Sequence, residues 1–234
     1  MPKKVFVLAV LAVFALLLFR SFGWTDAGTE LNQVASRYAE DGPQEVGAAN
    51  LVTAVIVTYR GLDTLGEVTI LFLTASIIGF FLATGRQEEH VPRKVRDTSE
   101  ILQTASRVIT PVIFLIGIYV FINGHLTPGG GFQGGAIVAS GLVLMLLANP
   151  GQKVSHSLIS AVESISGISI VLLGILGVVL ASGFLDNSIL GLGHFGTLLS
   201  AGAIPIIYIF VGLKVGSELS GIVSNLHQTN KEDI

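Results

Sequence analysis

No cysteine occurs in the 234 residues, which excludes disulfides, cysteine-ligated iron–sulfur clusters and thiol catalysis. If the chain works beside redox chemistry, other chains carry the electrons. Charge is also scarce. Only 12% of residues are Asp, Glu, Lys or Arg, against roughly 25% in an ordinary soluble domain. The net charge of −3 gives no basic surface for nucleic acid. The five histidines, His90, His125, His156, His194 and His227, stand at least 31 residues apart, so no metal-ligand spacing exists. No Gly-Lys-Ser/Thr ending follows a glycine run, so a phosphate-binding loop is absent. No internal repeat is visible, which argues against a self-contained transporter of two inverted halves.

What the chain has is apolar sequence: 51% of residues are hydrophobic and mean hydropathy is +0.75. Six segments are candidates to span a bilayer, at 5–22, 62–83, 108–122, 132–148, 158–182 and 194–215. The shorter ones have helix-compatible flanks that bring them toward the roughly 20 residues a spanning helix needs. The first begins like a signal peptide, with Lys3 and Lys4 before an apolar stretch, but no Ala-x-Ala site follows and it reads as a helix. With both termini in the cytoplasm, ten basic residues lie inside and three (Arg20, Arg37 and Arg60) outside. That bias predicts an all-α integral membrane protein of about six transmembrane helices, N-in and C-in, multi-pass in the cytoplasmic membrane.

Two modules are expected. Residues 1–90 hold two helices joined by an acidic external loop, in which Leu31, Val34, Ala35 and Tyr38 are spaced for a short amphipathic helix. A solvated acidic loop is the alternative. A charged connection around Pro92 leads into 91–234, four helices in two hairpins. Pro111 and Pro205 fall inside spanning segments, where each removes a backbone hydrogen bond and can kink the helix. Small residues recur four apart (Gly131/Gly135, Gly135/Ala139, Gly196/Ser200 and Gly212/Gly216), a spacing that lets helix backbones approach closely.

Few ionisable residues fall within these segments. The stretch from Leu51 to Ala83 would make about 50 Å of helix, more than a bilayer core requires, so a break at Gly61 is expected. Asp63 and Glu67 share a face just beyond it, with Arg60 on nearly the same line. A carboxylate at that depth faces protein, a partner or water, and Glu67 is a candidate to exchange a proton or cation on a path to the outer side. The alternative is structural, with Arg60 and Asp63 anchoring the helix at the interface. Glu163, five residues into its segment, is either a second proton site or an interfacial carboxylate near a helix N-terminus. Lys214 marks the inner end of the last segment, where snorkelling to water also accounts for it. Histidine as a residue type titrates near neutral pH, so His125 and His194 could join a relay; capping a helix end is the plainer role.

The most informative stretch is Gly124-His125-Leu126-Thr127-Pro128-Gly129-Gly130-Gly131-Phe132-Gln133-Gly134-Gly135. Its proline and glycines interrupt helix between two apolar runs. This signature resembles the MnhB/MrpB family of membrane subunits in the Mrp-type multisubunit cation/proton antiporters, and their counterpart in energy-converting membrane-bound hydrogenases. Gly196 to Pro205, leading into Val211-Gly212-Leu213-Lys214-Val215-Gly216, looks closest to the hydrogenase-type version. Tyr59-Arg60-Gly61-Leu62-Asp63-Thr64-Leu65-Gly66-Glu67 resembles the C-terminal end of the large antiporter subunit. Both motifs on one chain resemble the antiporter module of a hydrogenase or sulfur-reductase complex.

The resemblance implies a non-catalytic membrane subunit without cofactor, in contact with lipid, Na+ and H+, other antiporter-module subunits and hydrogenase or reductase subunits. The position matching Glu67 is, in that family, a membrane carboxylate implicated in cation or proton passage. Two other readings stay open: a structural spacer that seals neighbouring subunits, and a free-standing channel.

Overall fold

The computed structural model describes residues 2–23, 31–85, 98–152 and 154–232. The charged connection around Pro92, Lys153, and the acidic residues Asp26 and Glu30 lie outside the described residues. Among those described there is helix and no strand. The chain forms two compact units, 1–37 and 38–234.

The first unit holds α1 (Pro2–Gly23) and the short α2 (Gln33–Ser36). Apolar residues surround α1 on every side, the pattern of a helix facing lipid or other chains. In α2, Asn32 caps the first turn by accepting from the Ala35 amide at 2.8 Å.

A π-helical turn (Arg37–Asp41) has its first residue in the first unit and the rest in the second, which continues with α3 (Gly42–Val46) and α4 (Leu51–Thr53). A second π-helical segment (Ala54–Tyr59) runs to a break at Arg60. The five helices that follow are long and apolar enough to cross a membrane: α5 (Gly61–Gly85), α6 (Glu100–Ile122), α7 (Gly131–Ala148), α8 (His156–Leu180) and α9 (Ile204–Glu232). The chain is thus an all-α integral membrane protein.

The break expected at Gly61 is present, and the long helix begins there. Thr64 Oγ1 donates to the Ile56 carbonyl at 2.8 Å, satisfying a group the break releases. A Cβ on Gly61 would meet the Phe184 carbonyl at 2.8 Å, so the turn takes glycine because the loop after α8 packs against it.

α9 is the hub, packing against α5, α6, α7 and α8. Its early turns form the core, with Ile204, Ile207, Tyr208, Val211 and Val215 buried. Glycines decide the α7–α9 crossing. A Cβ at Gly131 would stand 2.6 Å from that of Val211, and one at Gly135 would stand 2.7 Å from the Gly212 carbonyl. Gly212 in turn seats the Phe121 ring. In contrast, α5 fully buries only Gly61, Thr64 and Val68, and most of its described surface faces outward.

The last helix corrects the sequence reading. It begins at Ile204, ten residues later than expected, and continues to Glu232. Residues 191–203 are irregular, with left-handed backbone at Gly193, Gly196, Ala201 and Gly202, which a helix cannot contain. Gly196 and Ser200 are therefore not a helix-contact pair, and His194 does not start the helix. Pro205 occupies the first turn of α9, where its missing N–H costs nothing, and introduces no kink. Pro111 does lie inside α6.

Candidate functional site

Two polar constellations stand out. One is a clasp at the end of the bundle where α6 leads into α7. Asn50 caps α4 through its Oδ1 and donates Nδ2 to the carbonyls of Gly124 (2.9 Å) and Thr127 (3.0 Å). Thr53 Oγ1 donates to the same Gly124 carbonyl at 2.7 Å and accepts from the Tyr208 hydroxyl at 2.9 Å. The glycine loop is thus bound on one side by the segment before the break and on the other by α9. Gly130 has φ of +154°, a backbone region open essentially to glycine, and a Cβ there would also meet the Tyr208 phenol. A Cβ on Gly124 would stand 2.7 Å from both Gly130 and the Tyr208 ring. Gly129 lies against Val120, while Pro128 is exposed.

His125 lies at the centre of this loop, wholly buried. Its Nε2 is 3.4 Å from the Thr197 carbonyl and its Nδ1 has no partner. Burial lowers its pKa below 6.5, opposed in part by the surrounding carbonyls, so the neutral ring is the favoured form. Next to the loop, Asn187 Nδ2 donates to the carbonyls of Val46 (2.8 Å) and Ala201 (3.0 Å), and its Oδ1 accepts from Thr58 at 3.3 Å.

The second constellation lies within the membrane-crossing helices. Lys214, the eleventh residue of α9, is about 15 Å along that helix. Its Nζ lies 3.3 Å from Glu163 Oε1 on α8 and 2.6 Å from Glu218 Oε1 one turn further along α9. The Phe72 ring of α5 stands 4.7 Å from the same ammonium. Side-chain exposure is 7% for Lys214, 24% for Glu163 and 0% for Glu218. Beyond the lysine, neither Glu218 oxygen receives a hydrogen bond. One ammonium therefore serves two carboxylates, and a single further positive charge makes the trio neutral, as a low-dielectric setting favours.

The sequence candidates divide between these places. Glu163 and Lys214 come together, with Lys214 buried in mid-helix rather than snorkelling at its end, because α9 runs on for 18 more residues. Arg60 and Asp63 form an ion pair that remains more than half and about half exposed. Glu67 is exposed on the surface of this chain, on the other side of the break from the clasp. It does not join the Lys214 cluster. His194 is exposed, with its carbonyl taken up by Thr197.

Glu218, Asn50, Thr53, Asn187 and Tyr208 were not anticipated. Glu218 was readable from its position four residues after Lys214 on one helix face.

Residues 101–221 match the family described as a domain related to the MnhB subunit of Na+/H+ antiporters. The chain belongs to this family. An uncharacterised protein of Methanocaldococcus jannaschii is 29% identical over 194 residues, 73% of this chain and 74% of that protein. A chain of the membrane-bound sulfane sulfur reductase, an archaeal respiratory membrane complex, is 38% identical with a TM-score of 0.82, covering 97% of this chain and 98% of that one. A chain of the Mrp complex from Dietzia sp. DQ12-45-1b is 27% identical with a TM-score of 0.73, covering 97% of this chain and 26% of that one. Both structural likenesses extend beyond the MnhB-related residues to the helices before them. This member is thus a membrane subunit of the Mrp antiporter type, akin to subunits of multisubunit membrane complexes.

Proposed function

We propose that the chain is a non-catalytic subunit of a Na+/H+ antiporter module in the cytoplasmic membrane, and that it takes part in moving protons or sodium ions. The observation that carries this reading is Lys214 buried between Glu163 and Glu218 inside membrane-crossing helices. Ionisable groups at such depth are costly and persist where ions or protons pass. The likeness over nearly the whole chain to a subunit of the sulfane sulfur reductase supports a redox-driven complex of the sulfur-reductase or membrane-bound hydrogenase type. On this reading residues 1–90 correspond to the C-terminal end of the large antiporter subunit and 91–234 to the MnhB/MrpB subunit, with both termini in the cytoplasm. Glu67, exposed on the isolated chain, presents its carboxylate to a neighbouring subunit or a hydrated path, with Asp63 and Arg60 at the mouth.

A second reading, the structural spacer, is favoured by the apolar side chains the helices leave uncovered, among them Phe80, Phe81, Ile101 and Leu180. The deciding experiment replaces Glu67→Gln and Lys214→Met separately in the native complex, checks assembly by native electrophoresis, and follows sodium-dependent proton movement in inverted vesicles. Loss of transport from an assembled complex supports translocation. Undiminished transport in both variants leaves the spacer.

A further inference from the structure

The three members of the Lys214 cluster are unequally exposed on the surface of this chain. Glu163 borders a cleft of about 390 Å³ between α5, α8 and α9, lined also by Thr69, Phe72, Ser164 and Lys214. Glu218 is sealed from it, with no exposed side-chain surface. Lys214 touches both carboxylates within hydrogen-bonding reach, and Phe72 holds the ammonium by its ring face without offering an acceptor. A lysine ammonium carries three N–H donors and, unlike a guanidinium, gives one up when buried.

We propose that Lys214 relays a proton between Glu163 and Glu218, so that the cargo at this point is a proton and Glu218 is its sealed holding site. The inference rests on the translocation reading above and specifies its chemistry. The step begins with Glu163 protonated from the cleft, Lys214 charged and Glu218 ionised. An Nζ–H bond of Lys214 breaks as an O–H bond forms on Glu218. The neutral amine then takes the proton of Glu163, whose O–H bond breaks as an N–H bond forms. The cluster ends with Glu163 ionised, Lys214 charged and Glu218 protonated. One proton has moved inward, and the trio stays neutral at both ends of the step.

Two observations favour a proton over a metal cation. A bare cation needs a shell of oxygen ligands, yet no donor hydroxyl or amide reaches Glu218, and the neighbouring Ser217 hydroxyl is committed to the Lys214 carbonyl at 2.9 Å. Among the described residues, no group of three or more acidic, histidine or cysteine side chains is placed to hold a metal ion.

The surrounding elements add no competing charge at this depth. α7 has no ionisable side chain, α6 carries Glu100 and Arg107 in its first turns, and α5 carries Asp63 and Glu67 toward its start. α8 adds His156 at its first residue. Beyond Glu218, α9 buries Ser220 and Ser224, and Ser224 Oγ lies 3.3 Å from His156 Nε2, which continues a polar line toward the end of α8.

Lys214→Arg separates relay from ion pairing, because a guanidinium keeps the charge but does not release a proton. In the intact complex it is expected to leave assembly unchanged and to slow proton translocation by about a hundredfold, the scale of a lost proton-transfer group. Infrared difference spectra of the same complex should show a protonated-carboxyl band that Glu218→Gln removes and that exchanging sodium for potassium does not move. Wild-type translocation in an assembled Lys214→Arg complex overturns the relay. So does a carboxyl band that persists in Glu218→Gln or shifts with sodium. If Lys214→Arg fails to assemble, the Glu218→Gln spectrum alone decides. Transport lost in Lys214→Met but kept in Lys214→Arg would sink the relay and leave the translocation reading standing; transport kept in every variant would sink that reading itself.

Discussion

Asn187 reaches 141 residues back along the chain, and its side-chain amide donates to the carbonyl of Val46 at 2.8 Å. The same amide donates to Ala201, and its oxygen accepts from Thr58, so one buried side chain ties α3, the π-helical segment and the irregular run before α9. Its backbone carbonyl also accepts from Ala203 at 3.1 Å. Asn187→Ala would take its donor from the Val46 carbonyl and leave the Ala201 carbonyl with the Ile204 amide alone, at about 1–3 kcal/mol for a buried group left unsatisfied. The expected outcome is a marked drop in the thermal unfolding midpoint in detergent. Asn187→Asp should be at least as harmful, because a carboxylate cannot donate to either carbonyl.

The α7–α9 crossing gives a second prediction. Gly131 and Gly135 sit where a Cβ would lie 2.6 Å from Val211 and 2.7 Å from the Gly212 carbonyl. Backbone cannot yield as a flexible side chain does, so Gly135→Ala forces the helices apart. A cost of about 1–3 kcal/mol is the usual scale of overpacking. Gly151, with nothing near its Cβ position, supplies the control: Gly151→Ala should leave the unfolding midpoint unchanged.

How far these features were readable from sequence depends on which physical signal carried them. Spans such as 108–122 and 132–148 were visible because apolar runs flanked by polar residues have a single explanation in a bilayer. The break at Gly61 was visible because a helix over the 33 residues from Leu51 to Ala83 would exceed the membrane's thickness. The start of α9 was not, because residues 194–203 have the composition of a spanning helix while Gly196, Ala201 and Gly202 adopt left-handed backbone. Ending that helix near Val215 made Lys214 a boundary residue and left Glu218 outside the membrane. The clasp was hidden for another reason. Asn50, Thr53 and Asn187 act on carbonyls 71 or more residues away, apart from Ala201, and composition carries no trace of such pairings.

His125 supplies a pH dependence. Burial holds its pKa below 6.5, so the unfolded chain binds the proton more readily than the folded one. Stability is then fully present above about pH 6.5 and is lost as pH falls through that value toward the folded pKa. Protonation would place charge in a loop where Nδ1 has no partner. Unfolding midpoints measured from pH 8 down to pH 5 should decline below about 6.5 in the wild type. In His125→Gln that part of the decline should disappear; an unchanged profile would remove His125 as its source.

The Lys214 cluster makes a further prediction about stability, separate from transport. Lys214→Met leaves Glu163 and Glu218 near one another with no cation between them, and Glu218 has no exposed surface on which to be hydrated. Removing one partner of a buried ion pair typically costs about 3–5 kcal/mol, whereas replacing both with neutral groups is far milder. Adding Glu218→Gln to Lys214→Met should therefore recover most of the lost stability, while adding Glu67→Gln, on the exposed face of α5, should recover none. Glu163→Gln in the same background is expected to fall between them, because Glu163 borders the cleft and keeps 24% of its side chain exposed. Comparing unfolding midpoints of the four variants in one detergent tests this ranking. Equal rescue by Glu67→Gln and Glu218→Gln would show that bulk charge, rather than the burial of Glu218 beside Lys214, sets the cost.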